Sequence, residues 1–213
     1  MTQAVRTSPA FSDVPPLEHG DQLSREEFEQ RWQLHPEIKK AELIDGMVFL
    51  DVTVTRRHGK PHLSVAGWIA PFVARTPSCE ALADTTVRVD GEHVLQPDVL
   101  LRKVESGSSI VSLDDCVEGP PELAIEIAAS SASYDLHLKK EAYRRAGVQE
   151  YLVWQVFEQR IDWWELQDGQ YVPLTLSDEG VFESRVFPGL RLAALKMLEG
   201  DLEAVLAAVQ APE

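Results

Sequence analysis

The run Leu123-Ala124-Ile125-Glu126-Ile127 constrains this chain more than any other segment: it reads as a core strand, apolar except for Glu126. A carboxylate inside such a strand is costly unless a cation or a metal meets it. A second strand, Val94 to Leu101, carries the same kind of residue in Asp98, and its Pro97 fits an edge or a bulge. Two strand carboxylates with hard oxygen donors suit Mg²⁺ or Mn²⁺. The fold must therefore supply positive charge where these strands meet.

A candidate source follows at once. Tyr134 to Ala146 reads as a helix closed by Gly147, and Asp135, Lys139 and Tyr143 recur every four residues along one face. Lys139 shares that face with Ala142, Tyr143 and Ala146, which is compatible with an orientation toward the sheet. The competing reading is a surface lysine whose stem lies along apolar residues and whose ammonium reaches water. Asp135, at the helix start, also suits a capping role.

The rest of the chain reads as one α/β domain. Residues 1–22, with Pro9, Pro15, Pro16 and Gly20, suggest a mobile arm. Order begins at 23, where Ser24 and Glu27 have capping-box spacing. Ala41–Leu50 is a hairpin turning at Asp45-Gly46, and His58–Ala74 a helix burying Val65, Trp68, Ile69 and Phe72. Strands are expected over 81–89, 151–157, 160–166 and 171–176. A C-terminal helix over 192–209 completes the domain, which runs from 23 to 213. Trp163-Trp164 belongs to the core and rim of a strand pair rather than to a base-stacking platform. His58 and His62 have the spacing of a metal pair, but Pro61 between them and the lack of a third ligand argue against zinc.

Pro97-Asp98, Glu126, Asp135-x-x-x-Lys139-x-x-x-Tyr143 and Gly147-Val148-x-Glu150-Tyr151, in this order, resemble the Uma2 family (DUF820), nucleases of the PD-(D/E)XK superfamily. Glu42 to Gly46 and Val186 to Leu190 agree with it. The resemblance implies a restriction-endonuclease-like α+β core, a mixed sheet flanked by helices. It implies Asp98 and Glu126 as metal ligands, Glu42 as the acidic residue that completes the site, and Lys139 as the catalytic lysine. The usual lysine two residues after the glutamate is absent, since position 128 is Ala. His58, Asp135 and Tyr143 stand as supporting residues. The implied reaction is Mg²⁺- or Mn²⁺-dependent cleavage of DNA, and the superfamily's habit of cutting both strands as a dimer implies a homodimer.

The charge sets a limit on that reading. The chain carries a net −15, which opposes non-specific binding to phosphates. Residues 51–157 hold only 11 basic and 15 acidic residues, and include the basic clusters Arg56, Arg57, Lys60 and Lys139, Lys140, Arg144, Arg145. DNA binding is accordingly expected to be weak and salt-sensitive. The alternative is a catalytically inactive domain of the same fold serving as a protein-interaction or regulatory module. Two cysteines without CxxC spacing, no secretory start and no span-length apolar stretch suggest a cytoplasmic protein without a membrane segment.

Overall fold

The computed structural model describes residues 14–50, 54–129 and 133–209. Helix α1 (Arg25–Leu34) starts where Ser24 Oγ accepts from the Glu27 amide. Strands β1 (Ala41–Ile44) and β2 (Met47–Leu50) pair through Asp45 and Gly46, whose φ values of 52° and 76° make the tight turn. The long helix α2 (Arg56–Arg75) follows, and then β3 (Cys79–Ala83), β4 (Val87–Arg88), β5 (Val94–Leu95) and β6 (Val99–Lys103). The short β7 (Ile110–Val111) and β8 (Val117–Glu118) lead into β9 (Leu123–Ala128). A π-helical turn, Tyr134–Lys139, runs directly into α3 (Lys140–Ala146), which Gly147 closes at φ 89°. Strands β10 (Glu150–Gln155), β11 (Arg160–Gln167), β12 (Gln170–Pro173), β13 (Val181–Glu183) and β14 (Arg191–Ala193) precede α4 (Ala194–Glu199) and α5 (Leu202–Ala208).

Two six-stranded sheets result. The larger runs β12-β11-β10-β9-β6-β3, with β9 and β10 parallel across the helical crossover. The smaller runs β2-β1-β5-β4-β8-β7. On one face of the larger sheet Leu123, Ile125 and Ile127 pack against Val65, Trp68, Ile69 and Phe72 of α2. The alternate positions Ala124 and Ala128 pack with Ala142 and Tyr143 of α3. Side chains alternate along a strand, so Glu126 shares the α3 face with two alanines that leave it room.

Several expectations change. The strands expected over 81–89 and 94–101 are each split between the two sheets. Pro97, lacking an amide hydrogen, sits where the chain crosses from β5 to β6. The tail is two helices, broken where Gly200 takes φ 80° and Asp201 caps α5 through the Ala204 amide. Residues 14–22, the last part of the expected arm, are seated on the hairpin: Leu17 is buried beside Phe28 and Val48, and the Gly20 amide donates to Val48 O at 2.8 Å. Residues 1–13 lie outside the described part, as do 130–132. Among the described residues no helix is long and apolar enough to cross a membrane, and Cys79 and Cys116 are free thiols.

Glu150 ties two distant segments together. Its carboxylate accepts from Ser184 Oγ at 2.7 Å and from the Arg185 amide at 2.6 Å, fixing the loop that carries Phe187 and Leu190 into the core. Burial pushes this carboxyl up to about 7 from an ordinary 4.5, against the hydrogen bonds that hold it down. An acid raised on folding stabilises least when ionised, so its contribution is whole below about pH 4.5 and falls as pH climbs to about 7. Glu150→Gln should remove that slope. Relative to the parent, the variant should gain about 3 kcal/mol between pH 4.5 and 7.5 in urea titrations. An equal pH dependence in both proteins would refute this role for Glu150.

Candidate active site

Strand periodicity builds one wall of the site. Glu42 and Ile44 of β1, with Lys40 just before the strand, alternate and face a cleft, while Ala41 and Leu43 face the small core under α1. The cleft has a volume of about 270 Å³ and is also lined by Asp98, Glu126, Asp135, Lys139 and His58. The structure thus brings Glu42, Asp98, Glu126 and Lys139 together, from β1, the turn before β6, β9 and the π-helical turn. Tyr143 lies behind them, its hydroxyl donating to Glu126 Oε1 at 3.0 Å.

Lys139 is the hub. Its Nζ stands 2.6 Å from Glu126 Oε1, 2.9 Å from Glu42 Oε1 and 4.0 Å from Asp135 Oδ1, with the side chain only 5% exposed. The π-helical turn bears directly on this placement, since it carries both Asp135 and Lys139 into the interior; such turns recur at functional sites. Burial alone would lower the ammonium's pKa, but Glu126, Glu42 and Asp135 together outweigh it and raise it well above the lysine range. Glu126 moves up as well, through burial and the neighbouring carboxylates, against the pull of Lys139.

Asp98 has the opposite environment. Its Oδ2 accepts from the Ile127 amide at 2.7 Å, a donor the β6–β9 ladder leaves open beyond the Val99–Ile125 pair. Its Oδ1 lies 3.0 Å from His58 Nε2 and 3.8 Å from Lys40 Nζ. Burial would raise Asp98, yet the His58 hydrogen bond and the charges of Lys40 and His58 hold it below the usual carboxylate range. The same bond to Asp98 raises His58 above the ordinary imidazole value. Two facing carboxylates are thereby driven apart in proton affinity, an arrangement typical of catalytic pairs.

His58 and His62 do not form a metal pair. His62 Nε2 bonds the Asp98 carbonyl at 2.9 Å, so both rings serve the same aspartate. Asp135 does more than stand at a helix start: it is buried facing Lys139, and its carbonyl accepts from Tyr151 OH at 2.8 Å. Trp163 lies in the core against Trp68, as expected.

Among the described residues no three of His, Cys, Asp and Glu stand close enough to cage a metal unaided. The donor chemistry still fits Mg²⁺ or Mn²⁺: Mg²⁺ commonly binds through one or two carboxylates, keeping water and substrate phosphate as its other ligands. Asp98 and Glu126 are two carboxylates that line the cleft. Sequence reasoning missed Lys40 and the aromatic rim of His19, Phe49 and Tyr134, whose Phe49–Tyr134 rings stand 5.1 Å apart at the mouth. Lys40 had a signal, its place two residues before Glu42, where the alternation of β1 extended back by one residue puts it on the same side.

The family model described as "Uma2: Putative restriction endonuclease" matches residues 25–195. A solved structure described as "a putative nuclease belonging to DUF820", from Anabaena variabilis ATCC 29413, is similar at TM-score 0.55 with 12% identity. The match covers 81% of this chain and 92% of that one, and at such identity it speaks for the fold. No curated protein matches the chain.

Proposed function

This chain belongs to the Uma2 family, and on that premise we propose that it is a nuclease hydrolysing phosphodiester bonds of DNA with Mg²⁺ or Mn²⁺. The observation that carries the proposal is the buried meeting of Asp98, Glu126 and Lys139 in one open cleft. Asp98 and Glu126 would hold the ion, and Glu42 is their acidic neighbour. A bound divalent ion lowers the pKa of a water and offsets charge on phosphate oxygens. In its protonated form Lys139 donates hydrogen bonds, orienting that water and facing the charge that develops on the phosphate. Lys40 adds positive charge beside Asp98 for an incoming phosphate. Tyr143 keeps the Glu126 carboxylate turned toward the cleft. A scaffold kept only for protein interaction has no need of this buried charge, and Lys139 buried in the cleft counts against that alternative.

The proposal is tested by incubating the purified chain with labelled single- and double-stranded DNA, and with RNA, in Mg²⁺, Mn²⁺ or EDTA. DNA cleavage that EDTA abolishes is expected. No cleavage of any substrate in either metal would remove the proposal.

His58 acts through Asp98 and is a positioning residue. Outer partners of metal ligands are typically worth about 10–100-fold in metal affinity or activity. His58→Ala should therefore raise the Mg²⁺ concentration for half-maximal cleavage by about that factor, and His58→Gln by less. An unchanged Mg²⁺ requirement in both variants would rule the role out.

A further inference from the structure

We infer that a nucleic-acid strand leaves the cleft across the first turns of α2, its phosphates held by Arg56, Arg57 and Lys60. The inference rests on the nuclease reading and extends it to the path of the substrate beyond the scissile bond.

The starting point is an imbalance in a chain of net charge −15. Most of its described arginines have matched carboxylates: Arg25 with Glu29, Arg88 with Asp114, Arg102 with Glu80, Arg145 with Asp45. Arg56, Arg57 and Lys60 are exposed, and among the described residues none of them has a carboxylate partner. The first turn of α2 holds no acidic residue, and Thr55 gives no side-chain cap. Three cations there repel one another and oppose the field of their own helix. No carboxylate within the described chain offsets that cost, whereas an anion from outside would.

The other basic cluster in the sequence is spent internally. Lys139 is buried in the cleft, and the Lys140 ammonium lies 3.5 Å from the Trp164 ring centroid. Arg144 bonds Glu141 at 2.6 Å, and Arg145 bonds Asp45 at 2.5 Å.

Position supports the assignment. The turn that presents Arg56 and Arg57 also sends His58 onto Asp98. Thr55, Arg56 and Arg57 line a shallow groove with Ala129 and Phe157. Ala129 is three residues past Glu126, roughly 10 Å along the strand direction at 3.3 Å per residue. The groove begins beside the cleft: Ala129 and Arg57 line the one, and their near neighbours in the chain, Ile127 and His58, line the other. It runs on past Lys60 toward Gln159 and Glu199, and Glu199 is itself paired with Lys196 at 2.7 Å. Phe157 is 59% exposed with the Arg57 guanidinium 5.3 Å from its ring, the cation-and-aromatic pairing that single strands use for stacking.

The test is the anisotropy of a labelled 20-nucleotide strand and of its duplex in EDTA, titrated from 25 to 200 mM KCl with the full chain. Under EDTA the basic surface is read without the metal. Each phosphate contact contributes about 0.7 to the logarithmic salt slope for a single strand and about 0.9 for a duplex. The variant Arg56→Gln, Arg57→Gln, Lys60→Gln should lower the slope by about 2 and weaken binding at least tenfold at 50 mM KCl. A control, Arg31→Gln with Arg75→Gln, removes charge elsewhere and should keep the parent's slope. Unchanged slope in the triple variant, or an equal loss in the control, overturns the surface. A parent that binds but does not cleave in Mg²⁺ keeps this surface and loses the nuclease reading. A parent that cleaves, beside a triple variant with the parent's slope, does the reverse.

Discussion

Lys139→Ala is expected to cost about 3–5 kcal/mol of stability at pH 8, because it leaves buried carboxylates without their cation. For a chain of this size that corresponds to a melting point lower by roughly 6–20 °C. Glu126 at 2.6 Å and Glu42 at 2.9 Å would then face each other and Asp135 with no positive charge between them. The proton affinity of Glu126, already raised by burial against the pull of Lys139, would rise further. The variant's deficit should therefore be largest at high pH and shrink as pH falls toward 4–5, where protons replace the ammonium. Lys139→Met separates charge from volume: it refills most of the space, so an equal deficit assigns the effect to charge. Added Mn²⁺ should recover more stability in Lys139→Ala than in the parent, since a divalent cation can take up the unbalanced charge. A melting point within 2 °C of the parent at pH 8 would mean that these carboxylates are not held by Lys139.

The second large effect is at Asp98. Asp98→Asn keeps an oxygen for the Ile127 amide, now 2.7 Å from the carboxylate, but removes the charge and puts an amide group in place of the oxygen that faces His58 and Lys40. It should lower metal-dependent cleavage by about 10³-fold at a smaller cost in stability than complete removal of the side chain. Asp98→Ala should lose as much activity and, in addition, about 1–3 kcal/mol of stability, because the Ile127 N–H is left buried without an acceptor. The contrast separates chemistry from folding. An Asn variant with more than a tenth of the parent's activity would exclude Asp98 as a metal ligand.

The candidate site was legible in the sequence because buried charge in an apolar strand is a local anomaly. Glu126 among Leu123, Ile125 and Ile127, and Lys139 one turn before Tyr143, needed no knowledge of the fold. The hairpin was legible for the same reason, since Asp45-Gly46 specifies a turn by its own backbone preferences. What failed was the division of strands between sheets. Ala81 pairs with Leu101, whereas Val87 pairs with Val117, and no local pattern tells which distant partner each half will find. The break in the C-terminal tail did carry a signal, a Gly200-Asp201 stop and start, hidden by a helical period that continues through it. The π-helical turn has no counterpart in residue spacing, and neither does the loop clasp of Glu150, which depends on a segment 34 residues away.

Manganese binding, followed by electron paramagnetic resonance, tests the central claim most directly, because it reads the metal site without requiring the right DNA. The parent should bind one Mn²⁺ per chain, competed by Mg²⁺, and Asp98→Asn and Glu126→Gln should each weaken that binding by at least tenfold. No saturable binding in the parent, or binding that both variants retain in full, would contradict a metal centre at Asp98 and Glu126.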